Sequence, residues 1–494
     1  MRFFFVILVI FLNACGGGSN ENYVEDPLKN EQWYLNQQYS GDNLSINLPV
    51  DFYYKGRGIT IAIVDNGIDI DHEDLRDNIG YGNYSYLTNE YNFSNADHGT
   101  SVAGIIAAVE GNGLGGRGVA PKSTIISFNA MRVPATKNIA DALIRKIDTV
   151  DISNNSWGDF NGWGEPLHLK TEIENSLKLG TSIGRAGKGI VYVFSAGNGA
   201  LIDSNGIPFD NVNYSGLVNN QYTLPICAVD NFGVKTSYSE TGATLLVCAP
   251  SKGAVKDFGI VTTDVTGDFG YNKKDKLIDY DNKNYTKLFG GTSAAAPMVT
   301  GVVALMLEAN SELSWRDVRK ILAESAKQNN QSDSDWVKNG AGLWINHSFG
   351  FGVVDAKEAV SLALNWKNVP PSKNISIEKV VDVLIPDNDS SGVTSAISIN
   401  ESLTTEFVDI YFDAPNHPKV GDLEITLISP AGTKSILSEL HNQTLGVFRY
   451  NNWRFGSLRH LGENSKGDWK LIVKDKRQDN VGVFVKWKLE VHGY

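Results

Sequence analysis

The stretch LFGGTSAAAPMVTGVVALML, Leu288 to Leu307, sets one serine among glycines, a threonine and three alanines. The apolar run behind it has the length of a buried helix. A serine at a helix start is usually an N-cap, but these flanks suggest more. Gly290 and Gly291 let another chain lie close, and Ala294 to Ala296 leave the Ser293 hydroxyl uncrowded. Pro297 is expected in the first helical turn, fixing the helix start. Such a setting presents a nucleophile, provided a base and an orienting acid stand elsewhere in the chain.

Two further stretches supply them. GITIAIVDNGIDIDHEDL opens with a β-branched run, Ile59 to Val64, of the kind found in strands buried on both faces. Asp65 ends that run, where open α/β sheets carry their sites. NADHGTSVAGIIAA puts His98 at the mouth of a helix of small residues, which can pack tightly and hold the imidazole. His72 is read as a surface residue. The order Asp, His, Ser is that of the subtilisin-like arrangement. It differs from the chymotrypsin order, and the Gly-x-Ser-x-Gly elbow of α/β-hydrolases is absent around Ser293.

Composition bounds the rest. A chain of 494 residues predicts two domains. With 44 basic and 56 acidic residues the net charge is −12, which argues against nucleic acid as a partner. The 42% hydrophobic content is enough for a sizeable core, and 49 glycines imply many tight turns. At the start, Arg2 and the run FFFVILVIFL have the make-up of a signal h-region. The following LNAC and GGGSN resemble a bacterial lipobox, making Cys15 the expected acylated residue and the membrane its anchor. By the same resemblance Gly16 points to the outer membrane. The other two cysteines, Cys227 and Cys248, lie in short apolar runs. A disulfide between them and two buried free thiols both remain open.

With these residues in place, the chain resembles the subtilisin-like serine proteases, in particular their kexin/furin (proprotein convertase) branch. IAIVDNGIDIDHEDL, HGTSVAGIIAA, NNSWG, GRAGKGIVYVFSAGNG, GGTSAAAPMVTGVVALMLEAN and LSWRDVRKILAESA carry the resemblance. It implies an α/β fold with a parallel sheet between helices. It also implies a serine endopeptidase acting on protein or peptide substrates, with Ser293 as nucleophile, His98 as base and Asp65 orienting it. Asn198 and the Ser293 N–H would form the oxyanion hole. Beyond NWKNVPPSKN the pattern turns to short alternating strands. That region resembles the convertase P domain, a β jelly roll, on Gly421-Asp422-Leu423, SPAGT, Trp469 and Trp487. The domains expected are a signal at 1–15, a tether at 16–25, a protease domain at 26–368 and a P domain at 372–494.

The resemblance also implies calcium. The ligands carried over are Asp26, Asp74, the Asn112 side chain and the carbonyls of Val109, Leu114 and Gly116, an all-oxygen set. A second site is expected from Asp210, Glu240 and Asp159. In the convertases a sizeable prodomain precedes a segment like EDPLKNEQWYLNQ, which here begins about ten residues after Cys15. Unaided folding, or a separate chaperone and inhibitor protein, is therefore expected. Specificity is expected to depart from the family. Asn66, Asn95 and Ser215 stand where the resemblance implies substrate-pairing acids, leaving Asp159 as the substitute. The rival reading is an inactive surface scaffold on a protease fold, which an intact Asp65, His98, Ser293 and Asn198 disfavour.

Overall fold

The computed structural model describes residues 23–40, 43–87, 96–159, 162–253, 259–273, 278–443 and 448–494. Cys15, the signal and Asn95 lie outside them. The β-branched run forms β1 (Thr60–Val64), whose inner four residues are buried. It is joined by β2 (Thr124–Phe128), β3 (Ile152–Asn155), β4 (Val191–Ser195), β5 (Thr223–Val229) and β6 (Val247–Pro250). All six are parallel, in the order β2-β1-β3-β4-β5-β6.

The sheet is sandwiched. Ile61 and Ile63 face one core, while Ala62 and Val64 face the other, as the two-residue period of a strand requires. After α1 (Gln37–Ser40), the first face is covered by α2 (Asp97–Ala107), α5 (Thr292–Ala309), α6 (Trp315–Ser325) and α7 (Ala356–Leu364). The second is covered by α3 (Thr136–Ile144) and α4 (Thr171–Ile183). An antiparallel ribbon of β7 (Ile260–Thr263) and β8 (Tyr285–Phe289) lies next to α2. A short hairpin of β9 (Val337–Lys338) and β10 (Trp344–Ile345) follows α6. α5 is apolar and long enough to cross a membrane, but it is mostly buried and serves as the core helix.

The second half is a sandwich of two antiparallel sheets. One runs β11-β18-β13-β16, the other β12-β17-β14-β15. The strands are β11 (Lys373–Ile385), β12 (Val393–Ile399), β13 (Thr405–Ala414), β14 (Leu423–Ile428), β15 (Lys434–Ser438), β16 (Tyr450–Ser457), β17 (Gly467–Asp475) and β18 (Gly482–Gly493). Trp469 and Trp487 are fully buried between the sheets. Their ring N–H groups donate to Ser465 O and Ser395 Oγ, so each large ring is buried without an orphaned donor.

The two halves share their cores. Phe407, Leu458 and Leu461 of the sandwich pack into the core under α5, and Ala243 packs into the sandwich core. Arg316 binds Glu406, and Asn213 and Gly456 exchange hydrogen bonds. The cluster of Asp409, Glu490 and His492 has metal-like spacing. Lys488 already binds Glu490, and Arg454 and Gln221 flank the other two, so it belongs to this interface.

Three local expectations are corrected or resolved. Pro297 is not in the first turn: α5 begins at Thr292, so the proline sits inside the helix. His72 is not a surface residue. It is fully buried, with Nε2 against Asn284 O and Nδ1 accepting from the Asp74 N–H, because the ribbon closes over it. Cys227 and Cys248 stand opposite each other on β5 and β6 and form a disulfide.

Candidate active site

The carboxyl ends of β1, β3 and β4 deliver Asp65, Ser156 and Asn198 to one edge of the sheet. β2 and β3 flank β1 on opposite sides, so this edge holds the crevice expected where strand order reverses. α2 and α5 both begin there. Gly99 allows the α2 approach: a Cβ on it would lie 2.0 Å from Gly67 O and 3.2 Å from the Asp65 Cβ.

His98 Nδ1 lies 2.8 and 2.9 Å from the two oxygens of the buried Asp65. That bond leaves Nε2 as the basic nitrogen. Burial lowers the affinity of His98 for a proton, but the charge and hydrogen bond of Asp65, with Asp97 adding, hold its pKa above the ordinary histidine value.

Ser293 is the second residue of α5. Its Oγ donates to Ser156 O at 3.1 Å, and Ser156 Oγ donates to Ser293 O at the same distance. Here the position of Pro297 acquires a use. Lacking an N–H, Pro297 cannot bond the carbonyl four residues back, which is that of Ser293. Ser156 takes the released carbonyl and ties Ser293 to the end of β3.

Asn198 Oδ1 accepts from Thr292 N and Thr292 Oγ1, at 2.9 and 3.0 Å, so its amide nitrogen end is turned from Thr292. Gly291 has φ of +79°, a region glycine adopts without strain. A Cβ there would stand 3.5 Å from Asn198 Nδ2 and 3.6 Å from Ser293 N. The missing side chain thus leaves open a space beside the Asn198 amide, whose Oδ1 is also 3.5 Å away, and Ser293 N.

Beside it lies a small cavity of about 30 Å³ lined by Ser195, Ala196, Gly197, Asp159, Ser215 and Tyr214, with Asp210 and Glu240 in its wall. Ser215 Oγ donates to Asp159 Oδ2 at 2.6 Å. Burial pushes all three acids above their usual pKa values; the charge of Asp159 adds at Asp210, and the charges of Asp210 and Asp159 add at Glu240. Asn66 has a different role from pairing substrate: its amide bonds Asp97 Oδ1 and the Gly99 N–H, pinning α2 to the end of β1.

The residues expected to hold the first ion lie in one region of the fold. Asp26 accepts from the N–H groups of Gly111, Asn112 and Gly113, which wraps the loop around it. Asn112 Nδ2 donates to Asp74 Oδ1 at 2.9 Å, while the buried Asp74 Oδ2 has no hydrogen-bond partner. Burial pushes the Asp74 carboxyl up to about 8, against the Asn112 bond and with the Asp26 charge adding. Among the described residues no hydrogen bond reaches the carbonyl oxygens of Val109, Leu114 or Gly116.

Several residues here carry no signal in the sequence. Phe289 packs edge-on to His98 at 5.5 Å, and Tyr271 packs on Phe289. Ser156 falls in the NNSWG motif but its reciprocal bonding could not be inferred. Asp97 is one position from His98, yet only the folded helix start brings its charge to bear.

Fold and site together define a subtilisin-like scaffold with an Asp-His-Ser constellation. The chain belongs to the Subtilase family, whose model matches residues 56–352, and a proprotein convertase P-domain follows at 410–491. It is 31% identical to kexin of Saccharomyces cerevisiae, over 95% of this chain and 56% of that protein. To human furin it is 30% identical, over 95% of this chain and 58% of furin. The chain thus spans somewhat over half the length of these curated relatives. Among solved structures it is similar to the serine protease of Aeromonas sobria, with a TM-score of 0.83 and 26% identity, over 97% of both chains. The same protease has been solved in complex with the chaperone ORF2, and this chain matches it equally well.

Proposed function

We propose that this protein is a calcium-dependent serine endopeptidase. The observation that carries the reading is the space beside Ser293 that Gly291 leaves open to the Asn198 amide and Ser293 N, at a site where His98 is bonded to Asp65. A scaffold has no need of that arrangement; a serine esterase would share it, and the choice of a peptidase is supported by the Subtilase family and the kexin and furin relatives.

In this mechanism Ser293 Oγ turns from Ser156 O towards His98 Nε2. His98 takes the proton as Oγ attacks the substrate carbonyl carbon, and Asp65 holds the imidazole and offsets its charge. The developing oxyanion sits against Asn198 Nδ2 and the Ser293 N–H. Collapse breaks the C–N bond, His98 gives its proton to the leaving amine, and water then hydrolyses the acyl-enzyme.

The residues of the first ion site fit calcium. An unpartnered buried carboxylate oxygen and three carbonyls without hydrogen bonds are the donors a hard cation selects. Asn112 Oδ1 accepts from the Leu114 N–H, so the amide would present its oxygen to the ion only by giving up that bond. Bound calcium would supply the counter-charge for Asp26 and Asp74 and hold the loop after α2. Asp210, Glu240 and Asp159 are the proposed second site. Lys235 acts on Glu240 and Lys170 on Asp159, yet burial still holds all three carboxyls above their usual pKa values.

Specificity is proposed to be relaxed. Asn66 is neutral and tied to Asp97, and Ser215 offers a hydroxyl that Asp159 already accepts. The charge of Asp159 is the feature left to favour a basic residue before the scissile bond. A separate chaperone is also proposed, supported by the Aeromonas sobria complex. Efficient refolding of the purified chain alone would remove that need. Anchoring through an acylated Cys15 would be seen as incorporation of labelled fatty acid, lost in Cys15→Ser.

One experiment tests the central reading. A fluorophosphonate probe should label the wild type but not Ser293→Ala, and casein hydrolysis should vanish with the label. Undiminished proteolysis by the variant would overturn the assignment. With the same preparation, kcat/KM should differ modestly between Lys-Arg, Ala-Arg and Ala-Leu peptides. A preference of a thousandfold or more, about 4 kcal/mol, would mean that other acids line these pockets.

A further inference from the structure

Behind the β9–β10 hairpin, where the protease half meets the sandwich, lies a cavity of about 560 Å³. That is within the size range of small-ligand sites. The protease half contributes Asp335, Val337, Lys338 and His347 to its wall. The sandwich contributes the outward face of β14, β15 and β17.

That face breaks the usual alternation. A sheet face turned from its core is normally polar, yet Ile428, Ile436 and Ile472 stand together here. Ile436 is 37% exposed. Edge pairing does not explain the patch. β15 is the edge strand, but its Ile436 N–H donates to His347 Nε2 and its Lys434 O accepts from Arg459.

The second anomaly is Arg459. It is buried, at 5% exposure, yet among the described residues only Nε–H of the five N–H donors of its guanidinium is hydrogen-bonded, to Lys434 O at 3.0 Å. Nη1 is buried without a hydrogen-bond partner. The nearest carboxylate, Asp335, has Oδ2 3.9 Å away and bonds instead to the backbone N–H and Nδ1 of His347. Burial lowers the Arg459 pKa to about 10, against the charges of Asp335 and Glu463. Lys338, Lys434 and Lys474 also line the cavity, against Asp335 and Glu424. On a chain of net charge −12 this is a locally cationic, apolar-walled recess.

We propose that the recess is a binding site for a short acidic peptide segment, its carboxylate on Arg459 and a neighbouring apolar side chain on the isoleucine face. An inorganic anion would use the guanidinium and leave that face uncovered; an acidic peptide uses both. A bound carboxylate completes the bonding of the guanidinium with charge-assisted bonds, the stronger kind. Because both halves of the chain line the recess, the occupant also straps them together. The proposal does not depend on the peptidase reading.

The test is calorimetry on the full-length Ser293→Ala chain, which cannot consume the probe. The probes are acetyl-Ile-Glu-Leu-Asp-amide, its uncharged Gln/Asn counterpart and inorganic phosphate. The acidic peptide should bind and raise the melting temperature, while the uncharged one should not. Arg459→Gln should weaken binding about tenfold or more, the usual cost of a lost charged hydrogen bond. The surface changes Lys434→Ala and Ile472→Ser, which leave the core intact, should each weaken it too. No binding at millimolar peptide would overturn the proposal. So would binding that Arg459→Gln and Ile472→Ser leave unchanged, or phosphate binding as tightly as the peptide.

Discussion

At Ser293 the local chemistry is set by what its neighbours lack. Gly291 lacks a Cβ, which leaves room for an oxyanion, and Pro297 lacks an N–H, which hands the Ser293 carbonyl to Ser156. Asn198 is fixed from the other side by Thr292. Asn198→Ala should therefore lower kcat by about a hundred- to a thousandfold, with KM nearly unchanged, because the donor acts on charge that appears only in the transition state. Steady-state kinetics on one peptide decides it, and an equal loss in KM would contradict the assigned role. The pH profile offers a second measurement. His98 must be neutral to accept a proton, and the charges of Asp65 and Asp97 favour its protonated form. The acid limb of kcat/KM should lie above the ordinary histidine value, activity rising with pH through it. Neutralising one contributor in Asp97→Asn should move that limb to lower pH and leave the plateau within a few fold. A limb that does not move would show that Asp97 is not coupled to the base.

At the scale of the element, the proposed ion site rests on the loop after α2. Gly115 has φ of +44°, and a Cβ on it would meet Asp74 Oδ2 at 2.5 Å, so the loop closes tightly on an oxygen that no protein group satisfies. Calcium that binds the folded chain and not the open one stabilises it by about 2.7 kcal/mol at a hundredfold excess over its Kd. Chelation should lower the melting temperature by several degrees. Asp74→Asn should melt lower than the wild type in millimolar calcium and lose most of its response to EDTA. Identical melting curves of the wild type with and without EDTA would remove the ion from this loop. His72 belongs to the same element: it accepts the Asp74 N–H and so aims that carboxylate.

At the scale of the molecule, the sandwich buttresses the cavity beside Ser293. Tyr214 lines that cavity and its hydroxyl bonds His441 Nδ1 and Ser438 of the sandwich, at 3.0 and 3.2 Å. Asn211, in the same wall, donates to Glu439. Gly456 of β16 is one close approach: a Cβ would lie 2.6 Å from Asn219 O and 2.8 Å from Thr244. Gly456→Ala should destabilise the whole chain by about 1–3 kcal/mol, the range for forcing a methyl into a packed contact. Calorimetry should show one transition at lower temperature, with KM raised. Two separate transitions would mean that the halves fold independently.

Much of this protein was legible in its residues because the signals are local. A β-branched run ending in Asp65, a small-residue helix after His98 and an apolar helix after Ser293 each state their element and the group at its end. Alternation beyond residue 372 likewise announced the sandwich. What the chain order could not contain is distance. Whether Cys227 and Cys248 bond depended on β5 and β6 lying side by side in register. The burial of His72 depended on a ribbon some two hundred residues away closing over it. The exchange between Ser156 and Ser293, the amide lock of Asn66 on Asp97 and the bond of Arg459 to Lys434 O are likewise contacts between separate segments. Local propensity and periodicity report what a segment prefers. Only the packing of one segment on another decides which polar atoms are satisfied and which are left for a substrate or an ion.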